Sequence, residues 1–326
     1  MSRVSRAIDL LAASEIRLTV VDVGASLEPF PPFQPLLGHV TYVGFDPDLR
    51  EVHQRSDGSG QRIMVDKAVV ADPESSTVRF FLTRNPTCSS TLPPGDEVAN
   101  YLHAYRFSVV DTADVAATTL DAAMASVGVT RVDWVKLDTQ GTDTRLLRSL
   151  GDATWAGLMA VDAEPGFDQH YDGEDVFGDL HREMVGRGFW LSDLALTRGV
   201  RLRPEVFDAS FRARSRLVRM AYELTLKSSP TAAGPRYLRT AASLERSGAT
   251  QEDYLRLWAC AFLSGNHPYA LDVVAAAEKA HGADRETTAL RELTVRRNRR
   301  DAVRNLWRLG GKLSVRNLRR LATKPY

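Results

Sequence analysis

The stretch Leu18-Thr19-Val20-Val21-Asp22-Val23-Gly24-Ala25-Ser26 constrains the fold more than any other part of the chain. A run of leucine and β-branched residues without alternation reads as a strand buried on both faces, the kind found inside a parallel sheet. It ends in Asp-x-Gly-Ala, where small residues let a backbone turn approach a ligand closely. A second strand, 40–45, ends in Asp46. A glycine turn after one strand and a carboxylate at the tip of the next is the wiring of a nucleotide-binding α/β unit, in which the acid grips a ribose diol. The full Gly-x-Gly-x-x-Gly fingerprint is absent, and Pro29, Pro31, Pro32 and Pro35 forbid an immediate helix after the turn. A pyrophosphate needs helix N-terminal amides, so these features argue against a nicotinamide dinucleotide.

Downstream the same grammar repeats. Strands are predicted over 63–70, 78–83, 115–121 (passing into a helix at 120–127), 132–137 and 158–164, with last strands at 188–191 and 196–202. Helices fit 5–14, 143–150 with Thr142 as its cap and Asp143 in its first turn, and 175–187. Strand, turn, helix, strand, with acids at strand ends, predicts an α/β fold with a doubly wound parallel sheet. From about 205 the pattern turns helical, which divides the chain into a sheet domain, 1–204, and a helical domain, 205–326. Gly248-Ala249 and Gly282-Ala283 recur at the spacing of helix-hairpin repeats, and Thr250 with Asp253 is spaced as a capping box.

Charge is unevenly spread: residues 284–326 hold 13 Lys/Arg against 4 Asp/Glu in a chain of net charge +1, which leaves the body acidic. An acidic body argues against a catalytic face that grips nucleic acid. No apolar run approaches a membrane span, the N-terminal residues lack the apolar core of a signal peptide, and Cys88 and Cys260 are too few for a disulfide framework, so a cytoplasmic protein is expected. In the tail, Val303, Leu306, Trp307, Leu313, Leu318 and Leu321 interleave with Arg304, Arg308, Lys312, Arg316, Arg319 and Arg320. That pattern fits a basic helix packed on its own domain, or one lying on an anionic membrane.

Six segments in order resemble the FkbM-type methyltransferases, which use S-adenosylmethionine (SAM) on a class I methyltransferase fold. They are Val21-Asp22-Val23-Gly24-Ala25, Val43-Gly44-Phe45-Asp46, Ser89-Ser90-Thr91-Leu92, Thr118-Thr119-Leu120-Asp121, Lys136-Leu137-Asp138-Thr139-Gln140-Gly141 and Asp162-Ala163-Glu164-Pro165, and the resemblance spans about 18–195. It implies that Asp22, Gly24, Ala25 and Ser26 form the turn beside the methionine part of SAM. Asp46 would take the ribose hydroxyls, and Asp66, Lys67 and Ala68 would lie near the adenine. Asp138 would face the methyl group, with Ser89, Ser90, Gln140 and Tyr171 toward the substrate.

The chain departs from the family at Ser26 and Glu28, and at Gln140, where an acid is usual. A hydroxyl acceptor is too weak an acid to ionise at neutral pH, so its proton needs a base. Asp138, Glu164 and His170 are the candidates, although a lone loop histidine such as His170 reads first as a surface residue. Asp138 with Glu164 would suffice for a divalent ion, although no spacing requires one. His103, His181, His267 and His281 show no ligand pattern. The expected activity is O-methylation of a small-molecule or glycan-type hydroxyl, with a homo-oligomer possible and nucleic acid excluded as partner. The rival expectation is a catalytically silent SAM-binding module.

Overall fold

The computed structural model describes residues 7, 9–11, 15–25, 29–46, 61–211 and 215–310. Ser26, Glu28 and the tail beyond Gly310 lie outside them. The chain forms two compact units, Ile16–Gly248 and Met1–Glu15 together with Ala249–Tyr326.

In the first unit, β1 (Thr19–Val23), β2 (Thr41–Phe45) and β3 (Gln61–Val65) pair in parallel. No helix separates β1 from β2 among the described residues; the proline-rich link makes only a short 3-10 turn at Gln34–Leu36. The predicted run 63–70 divides at Asp66-Lys67. β3 stays in the main sheet, while β4 (Ala68–Val69) joins a second sheet with β5 (Thr77–Thr83) and β6 (Val109–Thr118), in the order β4-β6-β5. Asp66 and Lys67 are therefore exposed at a crossover, and Ala68 is buried by its pairing with Ala117.

The chain continues through α1 (Leu120–Ser126), β7 (Trp134–Leu137), α2 (Asp143–Arg148), α3 (Asp152–Gly157), β8 (Ala160–Asp162) and α4 (Phe177–Gly186). Thr119 caps α1, accepting from the Ala122 amide at 3.3 Å. Thr142 makes no side-chain cap on α2; its hydroxyl instead bonds Thr139 Oγ1 at 2.8 Å. The expected separate strands at 188–191 and 196–202 are one strand, β9 (Phe189–Gly199). After α5 (Pro204–Phe211) and α6 (Arg216–Thr225), the chain returns through β10 (Ser229–Arg239) before α7 (Ala241–Ser247).

The seven-stranded sheet has the order β3-β2-β1-β7-β8-β10-β9, parallel except for β10, which runs against both its neighbours. The sheet thus takes an inner strand from beyond residue 204, where the sequence reading ends its first domain. Pro230, Gly234 and Pro235 hide that strand from any propensity argument. Its place is fixed electrostatically: Arg236 pairs in register with Asp162 and donates to its carboxylate at 2.9 Å, while Trp134 Nε1 reaches the same group at 2.6 Å. Val21, Val43, Leu137, Leu146, Val161, Leu180 and Tyr237 contribute to one continuous apolar core. Removing a leucine from such a core costs about 2–5 kcal/mol.

The second unit holds α8 (Gln251–Leu263), α9 (His267–His281) and α10 (Arg285–Gly310). The Thr250–Asp253 capping box is present. One repeat later Asp284 and Thr287 exchange the same bonds with the residue types swapped, Asp284 Oδ1 accepting from the Thr287 amide at 2.8 Å. Trp258 Nε1 donates to Thr294 Oγ1 at 2.9 Å, joining α8 to α10. No helix among the described residues is long and apolar enough to cross a membrane.

Candidate active site

Because β1, β2, β7 and β8 run in parallel, their carboxyl ends share one edge, and each delivers an acid there: Asp22, Asp46, Asp138 and Glu164. A crevice outside strand carboxyl ends is where open α/β sheets bind ligands. Gly24 has φ +78°, and a Cβ on it would collide with the backbone carbonyl of Asp138. The turn is therefore locked against the end of β7. Its Gly24 and Ala25 amides both donate to the Phe45 carbonyl, at 3.0 and 2.9 Å, which leaves them engaged rather than aimed outward.

Asp22 is buried and accepts from the Phe30 amide at 2.8 Å and the Tyr42 hydroxyl at 3.1 Å. Its other oxygen, Oδ1, has no hydrogen-bond partner and lies 3.6 Å from Lys136 Nζ. Burial pushes the Asp22 carboxyl up against the opposing pull of Lys136. Lys136, itself buried, reaches on to Asp138 Oδ2 at 3.2 Å. Burial would lower its pKa, but Asp138 and Asp22 outweigh that and raise it, so the ammonium persists. Lys136 thus ties the two central strands together at the edge. A lysine inside an otherwise apolar strand is the sequence signal for that role, since buried lysines require partners.

Asp138 also accepts from Gln140 Nε2 at 2.6 Å. Gln140 holds φ +54°, a region that costs a side-chain-bearing residue about 1–3 kcal/mol. It is pinned on several sides, its carbonyl accepting from the Ser90 hydroxyl at 2.7 Å and its Oε1 lying 2.9 Å from the Tyr171 hydroxyl. Ser90 and Tyr171 therefore hold the fourth-strand turn, with Tyr171 also 2.8 Å from the Cys88 carbonyl. Ser89 turns away from this turn, accepting from the Thr83 amide at 3.1 Å.

Asp143 sits in the first turn of α2, as expected, and is also a buried tie. It accepts from the Thr139 amide and hydroxyl at 3.1 and 2.5 Å and from the Glu164 amide at 2.8 Å. It thereby fixes the backbone of Glu164. Loss of solvent around its carboxyl, then the charge of Asp138, raise Glu164 to about 7, with Lys136 pulling the other way.

His170 is neither on the surface nor free to move. It is buried, its ring 5.2 Å from Tyr101 and 5.8 Å from Phe107, and burial holds its imidazole neutral. Its amide donates to Glu174 Oε2 at 2.6 Å, alongside the amides of Tyr171 at 3.1 Å and, on Oε1, Gly166 at 3.0 Å. Glu174, which no motif marks, organises the whole 166–174 loop. Replacing it by Gln sets an amide group against three N–H donors, so Glu174→Gln is expected to cost about 1–3 kcal/mol, read as a lowered melting temperature. An unchanged melting temperature would remove Glu174 from that role.

Ser26 lies outside the described residues, whereas Asp66 and Lys67 follow β3 at the same carboxyl edge, beside Asp46, whose amide donates to the Val65 carbonyl at 3.3 Å. Among the described residues no group of three or more His, Cys, Asp or Glu is arranged to hold a metal ion.

No protein-family model and no curated protein matches the chain. Among solved structures, a Pyrococcus horikoshii protein described as a candidate RNA methyltransferase (PH1948) is similar at a TM-score of 0.27 and 12% identity, over 72% of this chain and 81% of that one. A likeness of that size carries no argument about fold or activity.

Proposed function

We propose that the chain is a SAM-dependent methyltransferase acting on a hydroxyl of a small-molecule or glycan-type acceptor. The observation that carries this reading is the row of carboxylates at one sheet edge, Asp22, Asp46, Asp138 and Glu164, with Lys136 paired to Asp22 and Asp138. Such an edge repels the phosphates of a nucleotide or dinucleotide and suits a ligand carrying a sulfonium and an ammonium. The sheet order, with one reversed strand beside the last, supports the class I resemblance of the sequence over a 3-2-1-4-5-6 dinucleotide fold. The FkbM assignment rests on the six motifs.

One observation fits the cofactor: Asp22 Oδ1 is a buried acceptor without a hydrogen-bond donor, suited to the ammonium of SAM. Asp46, buried at the tip of β2, would take the ribose diol. SAM supplies a methyl group whose C–S bond breaks as a C–O bond forms, the electron pair returning to sulfur. The protein must then align the acceptor and remove its proton. Glu164, poised near neutral pH, is placed to receive that proton. Asp138, held by Lys136 and Gln140, stays in position to orient the acceptor.

Calorimetric titration with SAM, with NAD as control, tests the reading. Micromolar SAM binding without a response to NAD is expected, and Asp46→Ala should weaken it about 10–100-fold by removing charge-assisted hydrogen bonds. NAD binding, or SAM affinity unchanged in the variant, would overturn the cofactor placement. Bound SAM with no turnover on any hydroxyl acceptor would leave a binding module.

A further inference from the structure

Charged residues stand in register across the middle of the sheet. Asp22 on β1 is paired with Lys136 on β7, Lys136 with Asp162 on β8, and Asp162 with Arg236 on β10. Registered residues on neighbouring strands share a face, so one row alternates in sign from strand to strand. Asp22, Lys136 and Asp162 are buried, and the Arg236 side chain is 13% exposed. The rings of Phe30 and Trp134 lie 6.0 and 5.2 Å from its guanidinium. Charges so enclosed persist only with partners, and the row supplies them.

The row shares its cations unequally. Arg236 Nε and Nη2 each reach Asp162 Oδ1 at 2.9 Å, Nε also lies 3.2 Å from Oδ2, and Trp134 Nε1 donates to Oδ2 at 2.6 Å. Both oxygens of Asp162 are thereby engaged without Lys136. Although Lys136 stands beside Asp162 in register, its ammonium turns to Asp138 at 3.2 Å and Asp22 at 3.6 Å. A lysine ammonium is a compact charge on a flexible stem and can be redirected, whereas the arginine fork is pre-organised for one carboxylate. Without the guanidinium, Asp162 would be a buried carboxylate holding a single indole, and the neighbouring ammonium would be drawn to it. Asp138 and Glu164 follow two residues beyond Lys136 and Asp162, so the acids of the edge stand one step above this row. Glu164 is held up by loss of solvent, then by Asp138, with Asp143 and Asp162 adding to it and Lys136 opposing. Where the Lys136 ammonium points therefore decides how readily Glu164 ionises.

We propose that Arg236 is a positioning residue for the reaction, saturating Asp162 so that the Lys136 ammonium is left to Asp138 and the acidic edge. The inference rests on the methyl-transfer reading, and it puts a determinant of that chemistry on β10, outside the parallel strands that carry the acids.

The test is a carboxyl-carbon NMR titration of the full chain without ligand, with Glu164→Gln used to assign the Glu164 signal. The wild-type midpoint is expected at about 7. In Arg236→Met it should rise by about one pH unit, because a cation is lost and Lys136 is drawn away. Asp162→Asn, which removes a negative charge and frees the arginine, should lower it. The double variant Arg236→Met with Asp162→Asn should return close to wild type, since both members of the pair are gone. Arg236→Lys keeps the charge and should also stay near wild type. A folded Arg236→Met with the wild-type midpoint would overturn the proposal. If that variant does not fold, a wild-type midpoint in folded Asp162→Asn would do so. No cofactor enters this titration, so its failure is separate from failure of the calorimetric test of SAM binding.

Discussion

Glu164→Gln is expected to lower turnover of a hydroxyl acceptor by about 10²–10⁴-fold, the range of a lost general base, while SAM affinity changes little. The amide keeps the shape of the side chain, and the backbone stays fixed by Asp143. In the wild type, kcat/KM should rise with pH through about 7 as Glu164 loses its proton, and that limb should vanish in the variant. Asp138→Asn removes the charge that crowds Glu164, so the midpoint of the limb should move to lower pH. The stability consequence has the opposite sign. A carboxyl whose pKa rises on folding contributes stability below its ordinary value of 4.5 and loses that contribution as pH climbs through about 7. The variant should therefore melt no lower than wild type at pH 8. Full activity in Glu164→Gln, measured by single turnover, would remove the residue from the chemistry.

Gly24→Ala should be the most damaging conservative change in the sheet. The left-handed backbone at φ +78° costs an alanine about 1–2 kcal/mol, and the added methyl meets a main-chain carbonyl of β7 that has no rotamer to yield. Overpacking of this kind adds about 1–3 kcal/mol. The expected result is a fall of several degrees or more in melting temperature, with SAM binding lost before the fold. Gly128→Ala serves as the control, because a Cβ there meets nothing and only the φ penalty applies. Equal effects of the two substitutions would show that the Gly24 turn is not locked to β7.

These contrasts show what the sequence made legible. The first strand, its glycine turn and the acids at the tips of β2, β7 and β8 were readable because buried parallel strands are continuous in hydrophobicity and end abruptly in polar residues. The break at Asp66-Lys67 was not, since the apolar residues on both sides keep one character while the chain changes sheets. β10 was hidden by its prolines, which it tolerates because paired carbonyls and the Arg236–Asp162 bridge hold it. Within the site, Glu164 is legible by its position, whereas Lys136 carries a signal, a lysine in an apolar run, that the sequence reading leaves unused. Glu174 and the packing of His170 depend on a loop closing on itself, and no local spacing records that.

The reversed strand also sets a timetable for synthesis. β8 cannot acquire its outer neighbour until Arg236 has followed Asp162 by 74 residues. At a ribosomal rate of about 5–20 residues per second, that edge stands open for roughly 4–15 s in each nascent chain. During that interval β8 offers unpaired backbone and a buried-type acid, Asp162, without its arginine. A nascent chain paused among the α5–α6 codons would expose a sticky edge, and chaperone capture there would protect every later step of folding.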